Sequence, residues 1–315
     1  MSTLPIICVS YNPCIDRTLQ VEYLKEGKQN KATYVSEQAA GKAINIAYIF
    51  GELNIPCAIY GFIGLDSAVV FDDRLKKVDN HMRRLPIRTR TNTTMIDDIQ
   101  KIETYVREIG TPLDVNRFQE LIDEVLSVVQ RHQWVVLSGS LPPEVPVSLL
   151  GHFIIELKKK GAQVAVDTSG EALRVAVDAE PTLIKPNREE LCSLVGDELF
   201  SNFGITQSAE HLHHFHPMMD ILLSDGQNGC YYFADQIRLH ALFEPSIVVP
   251  IVSTIGSGDA LLAGFLAKQL KGHDNKSSLV YAVRIATSTL PNVCAGDIDM
   301  SVVNSENFEV TITDI

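Results

Sequence analysis

The feature that most constrains this chain is its alternation of short apolar runs with helical patterns. Predominantly apolar runs lie at 6–10, 57–62, 134–138, 164–167, 182–184 and 221–224. Their length and near-continuous hydrophobicity suit strands buried on both faces. Between them the apolar positions repeat with helical spacing, most clearly at 115–131, 147–160 and 258–270. The second of these closes on Lys158, Lys159 and Lys160 and then Gly161, cations that complement the negative end of a helix followed by a residue that stops it. Strands and helices in this order predict an α/β chain, a mostly parallel sheet covered by helices on both faces.

Two stretches depart from that rhythm. Residues 16–37 and 89–109 contain β-rich, charged segments such as TLQVEYL, ATYVSE and ETYVRE, the pattern of strands with one face in water. They are expected to form a small sheet standing off the main body. With no internal repeat, low-complexity tract or long linker, residues 1–315 are read as one domain carrying that appendage.

The most informative segment is Ser253-Thr254-Ile255-Gly256-Ser257-Gly258-Asp259, followed by a strongly apolar helical run. Glycines let the backbone approach a ligand, and the helix behind them presents unpaired N–H groups and the positive end of its dipole, so Gly256, Ser257 and Gly258 can form an anion hole. Asp259 in the first turn is then expected to stay ionised and to accept a proton from a substrate hydroxyl. The same residues also satisfy a turn and helix cap with no chemistry. A second constellation is Lys185-Pro186-Asn187-Arg188-Glu189-Glu190. Asn187 can cap the helix that starts there, or Asn187 and Glu190, one turn apart, can hold magnesium through water. Gly41 and Asn45 open another helix beside small residues, where either a polar ligand or close packing is served. Asp16 suits sugar hydroxyls or a solvated turn.

Charge decides which partners to consider. The formal net charge of -12 argues against nucleic acid and anionic lipid, while a local cluster of N–H groups and cations still suits a small anion. No run reaches the roughly 18 to 20 apolar residues of a membrane span, and MSTLPIICVSYNP carries no basic leader region, so a cytoplasmic protein is expected. The cysteines, at 8, 14, 57, 192, 230 and 294, read as buried reduced thiols. Trp134 reads as core, and the histidines at 211, 213, 214 and 216 as a solvated helix end rather than a metal site.

In chain order, Asn12-Pro13-Cys14-Ile15-Asp16, Gly41-Lys42-Ala43-Ile44-Asn45, Thr89-Arg90-Thr91-Asn92, the Ser-Gly-Ser at 138–140 with Leu141 and Pro142, Asp167-Thr168-Ser169-Gly170, Lys185-Pro186-Asn187 and the segment from Ser253 to Ala260 resemble the PfkB (ribokinase-like) carbohydrate kinases, from about residue 5 to about 295. Within that family the match is to the branch of 1-phosphofructokinase, tagatose-6-phosphate kinase and the minor 6-phosphofructokinase. The resemblance implies a three-layer α/β/α domain with a small β lid, pairing into a homodimer through that lid. It implies phosphorylation of a sugar phosphate by ATP and Mg2+, with fructose 1-phosphate or tagatose 6-phosphate ahead of fructose 6-phosphate. Asp16, Gly41, Lys42, Asn45, Asn92 and Ser140 would hold the sugar, with Arg90 and Lys28 on its existing phosphate. Lys185, Asn187, Ser224, Gly226, Gly229, Thr254, Gly256 and Gly258 would border ATP, Asn187 and Glu190 would serve the metal, and Asp259 would be the base. Ala40 and Ala43 replace glycines typical of the family, and Thr94 and Tyr105 depart from its usual lid residues, which leaves a catalytically silent sugar-phosphate or nucleotide sensor on the same fold as the rival reading.

Overall fold

The protein is described here by a computed structural model covering residues 4–244 and 249–315. Residues 1–3, which open the segment read above as lacking a leader, lie outside the described residues. The chain begins with β1 (Ile6–Ser10), β2 (Cys14–Val21), β3 (Ala32–Ala40), α1 (Lys42–Glu52), β4 (Cys57–Gly64), α2 (Ala68–Arg74) and β5 (Asp79–Leu85). It continues through β6 (Arg90–Asp97), β7 (Ile102–Arg107), α3 (Val115–Val128), β8 (Trp134–Ser138), α4 (Ser148–Lys159), β9 (Gln163–Asp167), α5 (Gly170–Asp178) and β10 (Leu183–Ile184). Then come α6 (Arg188–Val195), α7 (Asp197–Phe215), β11 (Asp220–Ser224), β12 (Cys230–Ala234) and β13 (Ile237–Glu244). The chain closes with α8 (Ser257–Gln269), α9 (Asn275–Ser288), α10 (Met300–Val303) and β14 (Glu309–Asp314).

The main sheet has the order β14-β13-β12-β11-β10-β9-β8-β1-β4-β5. From β11 to β5 every pairing is parallel. Side chains of successive residues leave a strand on opposite faces, so β1 sends Ile6 and Cys8 into one core and Ile7 and Val9 into the other. The first core is completed by α1, α8 and α9, the second by α3, α4, α5 and α7. These are the three layers implied by the resemblance. β12, β13 and β14 extend one edge as antiparallel strands; the alternating pattern does not reveal β12 and β13 because hairpins need no intervening helix, and β14 returns to this edge only after α8, α9 and α10.

The second sheet has the order β3-β2-β6-β7 and occupies the two stretches expected to stand off the body. β2 and β6 run parallel, with Asp16 opposite Asn92. Thr94 and Tyr105, the two lid departures, face each other across β6 and β7. Each strand carries polar residues on one face, while Tyr34, Val35, Tyr105 and Val106 are exposed apolar residues on its outer strands.

The strand order reverses direction at β1: later strands β8 to β11 lie on one side, β4 and β5 on the other. Beyond the carboxyl ends of strands at such a reversal, the connecting loops separate and leave a crevice. The carboxyl ends of β1, β8, β9, β10 and β11 lead to Asn12, Ser140, Asp167, Lys185 and Ser224, so the fold gathers the polar motifs at one rim.

Two details differ from the sequence reading. Cys192 and Cys294 are partly exposed, whereas Cys8, Cys14, Cys57 and Cys230 are buried. The histidines do not act as one cluster: His213 is buried against the sheet and His216 pairs with Glu180. Trp134 packs against the first core.

Candidate active site

α8 is apolar almost throughout, with residues 259–267 buried, because it lies between α1 and α9. Its first turn is therefore fixed deep in the molecule while its N–H groups face the rim. Gly256 caps it with φ 83°, a left-handed geometry that costs a residue with a Cβ about 1–2 kcal/mol. Such a Cβ would also lie 3.0 Å from the Gly296 nitrogen. Ser257 donates its hydroxyl back to the Thr254 carbonyl, and Thr254 itself is exposed. The space over Gly258 is bounded by Lys185, whose Nζ would stand 3.4 Å from a Cβ placed there.

Asp259 follows, only 6% exposed. Its Oδ2 accepts from the Asn45 amide at 2.8 Å. The expectation that the helix dipole keeps this carboxylate ionised is corrected by its surroundings. Burial first, and the charge of Asp167 second, raise it to about 7, against the lowering pull of Lys42, Asn45 and Lys185. A carboxyl at that value exchanges protons near neutral pH, the property a general base requires.

Asp167, at the end of β9, is the residue the sequence reading quoted in a motif without giving it a place in the site. Its side chain is fully buried. Lys42 Nζ donates to Oδ1 at 2.7 Å and Lys185 Nζ stands 3.5 Å from Oδ2. Burial alone would lower the Lys42 ammonium, yet Asp167 and then Asp259 carry it above the ordinary lysine value. Two cations and two carboxylates thus face one another at the mouth of the anion hole. Asn45 Oδ1 is buried without a hydrogen-bond partner, and Asp167 Oδ2 has none beyond its ion pair with Lys185; a buried acceptor left unpaired, as Asn45 Oδ1 is, is costly until a donor arrives.

At the neighbouring end, Asp16 accepts from the Asn92 amide at 3.1 Å and from the Cys14 thiol at 3.3 Å. Asn92 Oδ1 is a further buried acceptor without a partner. Gly41 opens α1 beside Pro13, and the methyl groups of Ala40 and Ala43 are fully buried. Arg90 uses its fork on the backbone: Nε and Nη2 donate to the Asn12 carbonyl at 3.1 and 2.8 Å, and Nη1 to that of Glu108 at 3.0 Å. Three bonds leave two of the five guanidinium N–H groups free. Ser140 receives the Asn12 amide at 3.3 Å.

Lys28 is not brought to this place within the chain. It lies in the exposed turn that joins β2 to β3, and the strand from Asp16 to Val21 separates the two by roughly 15 Å or more at about 3.3 Å per residue. Asn187 and Glu190 form a capping box: Asn187 Oδ1 accepts from the Glu190 nitrogen and Glu190 Oε2 from the Asn187 nitrogen, at 2.8 and 2.9 Å. Of the two uses the sequence left open, the local structure displays the cap. Ser224 bridges to Asn187. Beyond it Gly226 and Gly229 have positive φ, and a Cβ on Gly229 would lie 2.1 Å from the Ala241 carbonyl. That loop is held by Arg188, which grips Asp225 through Nε and Nη2 at 2.5 and 2.7 Å. Against the upward push of burial, Arg188 and Asn228 hold the Asp225 carboxyl below its usual value.

Residues 8–295 match the sequence profile of the pfkB family carbohydrate kinases. The chain belongs to this family. It is accordingly a kinase, a phosphotransferase with an alcohol group as acceptor. Among curated relatives of this pfkB-family chain, the 1-phosphofructokinase of Vibrio cholerae is 27% identical over 315 residues, covering 99% of this chain and 97% of that one. The 1-phosphofructokinase of Xanthomonas campestris is 30% identical over 292 residues, covering 91% and 90%. Among solved structures, phosphofructokinase-2 from Escherichia coli in complex with fructose-6-phosphate superposes with a TM-score of 0.84 at 21% identity, covering 95% of this chain and 98% of that one. Arabidopsis thaliana ribokinase complexed with ribose and ATP gives 0.71 at 19%, covering 96% and 99%. These two establish the ribokinase-like fold. No helix among the described residues is long and apolar enough to cross a membrane.

Proposed function

We propose that this kinase moves the γ-phosphoryl group of ATP to a hydroxyl of a sugar phosphate, with fructose 1-phosphate the first candidate and tagatose 6-phosphate and fructose 6-phosphate after it. The observation that carries the reading is Asp259, a buried carboxyl at about 7 set in the first turn of α8 beside Gly256, Ser257 and Gly258. Phosphoryl transfer asks mainly for positioning and for charge stabilisation, and this turn supplies a base on one side and N–H donors on the other. Asn45 holds the carboxylate oriented. Its unpaired Oδ1 and that of Asn92 suit sugar hydroxyls, with Asp16 beside them. The two free N–H groups of Arg90 suit the phosphate already on the substrate, with Ser140 near by. Lys42 and Lys185 offset the negative charge that gathers as the phosphoryl group passes. The ATP phosphates would run from Gly258 toward Ser224, Gly226 and Gly229, and Thr254 would border the nucleotide. The names of the 1-phosphofructokinase relatives are the support for taking fructose 1-phosphate as the first candidate.

The residues fit magnesium held through water. Glu190 Oε1 lies outside the capping box, and the box fixes both Asn187 and Glu190, an arrangement suited to a strongly hydrated ion bound chiefly by phosphates. When bound, the ion would neutralise phosphate charge.

The lid sheet is proposed to pair with its copy in a homodimer, because an isolated small sheet with exposed Val35 and Val106 on one face gains by covering them. Sedimentation showing only monomer at micromolar concentration would refute this. Lys28, at the hairpin tip, then has a partner's substrate phosphate as its target. For the activity, ADP release is measured with fructose 1-phosphate, tagatose 6-phosphate, fructose 6-phosphate and unphosphorylated sugars. Turnover with at least one sugar phosphate, and little with free sugars, is expected. Turnover with none would contradict the proposal.

A further inference from the structure

Arg74 ends α2, away from every motif the sequence reading selected. Its side chain is 11% exposed, an environment in which an unpaired cation is costly; two of its nitrogens are matched, while Nε is buried without a hydrogen-bond partner. Nη1 donates to Asp297 Oδ1 at 2.6 Å, Nη2 donates to the Ala295 carbonyl at 2.7 Å, and the guanidinium carbon lies 3.4 Å over the Tyr48 ring. One side chain therefore binds α1, through Tyr48, to the turn at residues 294–297. That turn is also closed by Asn292, whose amide donates to the Asp297 carbonyl at 2.9 Å.

The position of the turn gives this clamp its meaning. Gly296 rests against Asn45, whose Cβ and Cα would lie 3.3 and 3.5 Å from a side chain there. On its other side Ala295 and Gly296 back onto Gly256, with gaps of 3.1 and 3.0 Å to a Cβ at that glycine. The turn thus stands behind both the residue that orients Asp259 and the left-handed residue that shapes the anion hole. Close packing on both sides means that a shift of the turn is passed on to Asn45 and Gly256.

We propose that Arg74 is a positioning residue for phosphoryl transfer, pinning the turn at residues 294–297 so that Asn45 and Gly256 hold the base and the anion hole in register. The inference rests on the roles given above to Asp259 and Gly256. Neither Arg74 nor Asp297 touches a substrate, so their loss should act mainly on kcat, with only a small change in KM passed on through Asn45 and Gly256. Misplacement of a reacting group by about 1 Å costs up to ~10²-fold in rate.

The test uses Arg74→Met, Arg74→Lys and Asp297→Asn in the full chain, with thermal unfolding, kcat, both KM values and the pH profile of kcat/KM. Arg74→Met should lower kcat by about 10- to 100-fold while each KM changes less than about threefold. It should also move the acidic limb of kcat/KM to higher pH, because Asn45 then donates less effectively to Asp259. Lys42, Lys185 and Asp167, which also face Asp259, are unaltered by the substitution, and Asn45→Ala should move the limb the same way. Arg74→Lys, which keeps the charge and one contact, should recover part of kcat. If Arg74→Met does not fold, Arg74→Lys and Asp297→Asn decide, each with a smaller loss in the same direction. A folded variant with unchanged kcat and an unmoved limb, whatever its melting temperature, overturns the inference. Asp259→Asn measured alongside separates the cases: if it keeps turnover the base assignment fails, and if it is inactive while the Arg74 variants are normal only the positioning role fails.

Discussion

Replacing Asp259 by asparagine should make the protein more stable in a pH-dependent way. The carboxyl is 6% exposed and raised from 3.8 to about 7, with burial the largest cause. In the unfolded chain it loses its proton near 3.8, whereas the folded chain keeps that proton until about 7. Folding is therefore favoured by this group fully below about pH 4, and that contribution disappears as the pH climbs to about 7. At about 1.4 kcal/mol per pKa unit, the change amounts to ~4 kcal/mol. Asparagine has the same shape, can still accept from Asn45, and carries no charge to desolvate. The stability of Asp259→Asn relative to the parent should rise by ~4 kcal/mol between roughly pH 4 and pH 8, with most of the rise complete near neutrality. Urea unfolding of both proteins across that range, followed by intrinsic fluorescence, reads the difference directly. A difference that is flat with pH, or a variant less stable at pH 8, would show that the carboxyl is not strained by burial and would remove the reasoning that makes it a base near neutral pH. Stability given up at a reactive group is the usual exchange at functional sites.

Two other substitutions probe its surroundings. Lys42→Met removes the closer of the two cations on Asp167 and leaves Lys185 at 3.5 Å; the expected destabilisation by thermal or urea unfolding is ~2 kcal/mol, below the roughly 3–5 of a fully buried pair because Lys42 is partly exposed, and the acidic limb of the activity profile should move to higher pH. Arg90→Ala should raise KM for the sugar phosphate at least ~10-fold while KM for ATP stays within about twofold; equal changes would mean that the guanidinium serves only the Asn12 and Glu108 carbonyls.

Most of the strand and helix order was readable because six of the parallel strands of the main sheet are short apolar runs, and all six expected runs fall on β1, β4, β8, β9, β10 and β11. The seventh parallel strand there, β5, is an edge strand of largely polar sequence and carries no such signal. The lid was readable from its alternation. The antiparallel edge was not, since β12 and β13 follow one another with only a two-residue turn and leave no helical spacer to mark them. Around the site, Gly256, Gly258, Asp259 and Asn45 were legible as a local motif or as its spatial complement. Asp167 was not given a role, because its part depends on Lys42 and Lys185, which are far away in sequence and meet it only across the sheet rim. Arg74 was invisible for the same reason: its partners Tyr48, Ala295 and Asp297 come together only on folding. The charge state expected for Asp259 came from the helix dipole alone. The structure adds burial and a second carboxylate, which outweigh it.

The central claim is that Asp259 takes the proton from the hydroxyl that attacks ATP. ADP release by Asp259→Asn, with fructose 1-phosphate and ATP at saturation near pH 8, tests it most directly. The account predicts a folded variant whose KM for ATP is nearly unchanged and whose kcat is lower by at least ~10² to 10⁴, the scale of losing a positioned base. A folded variant that turns over at the parent rate would contradict it, leaving Asp259 as no more than the buried first turn of α8.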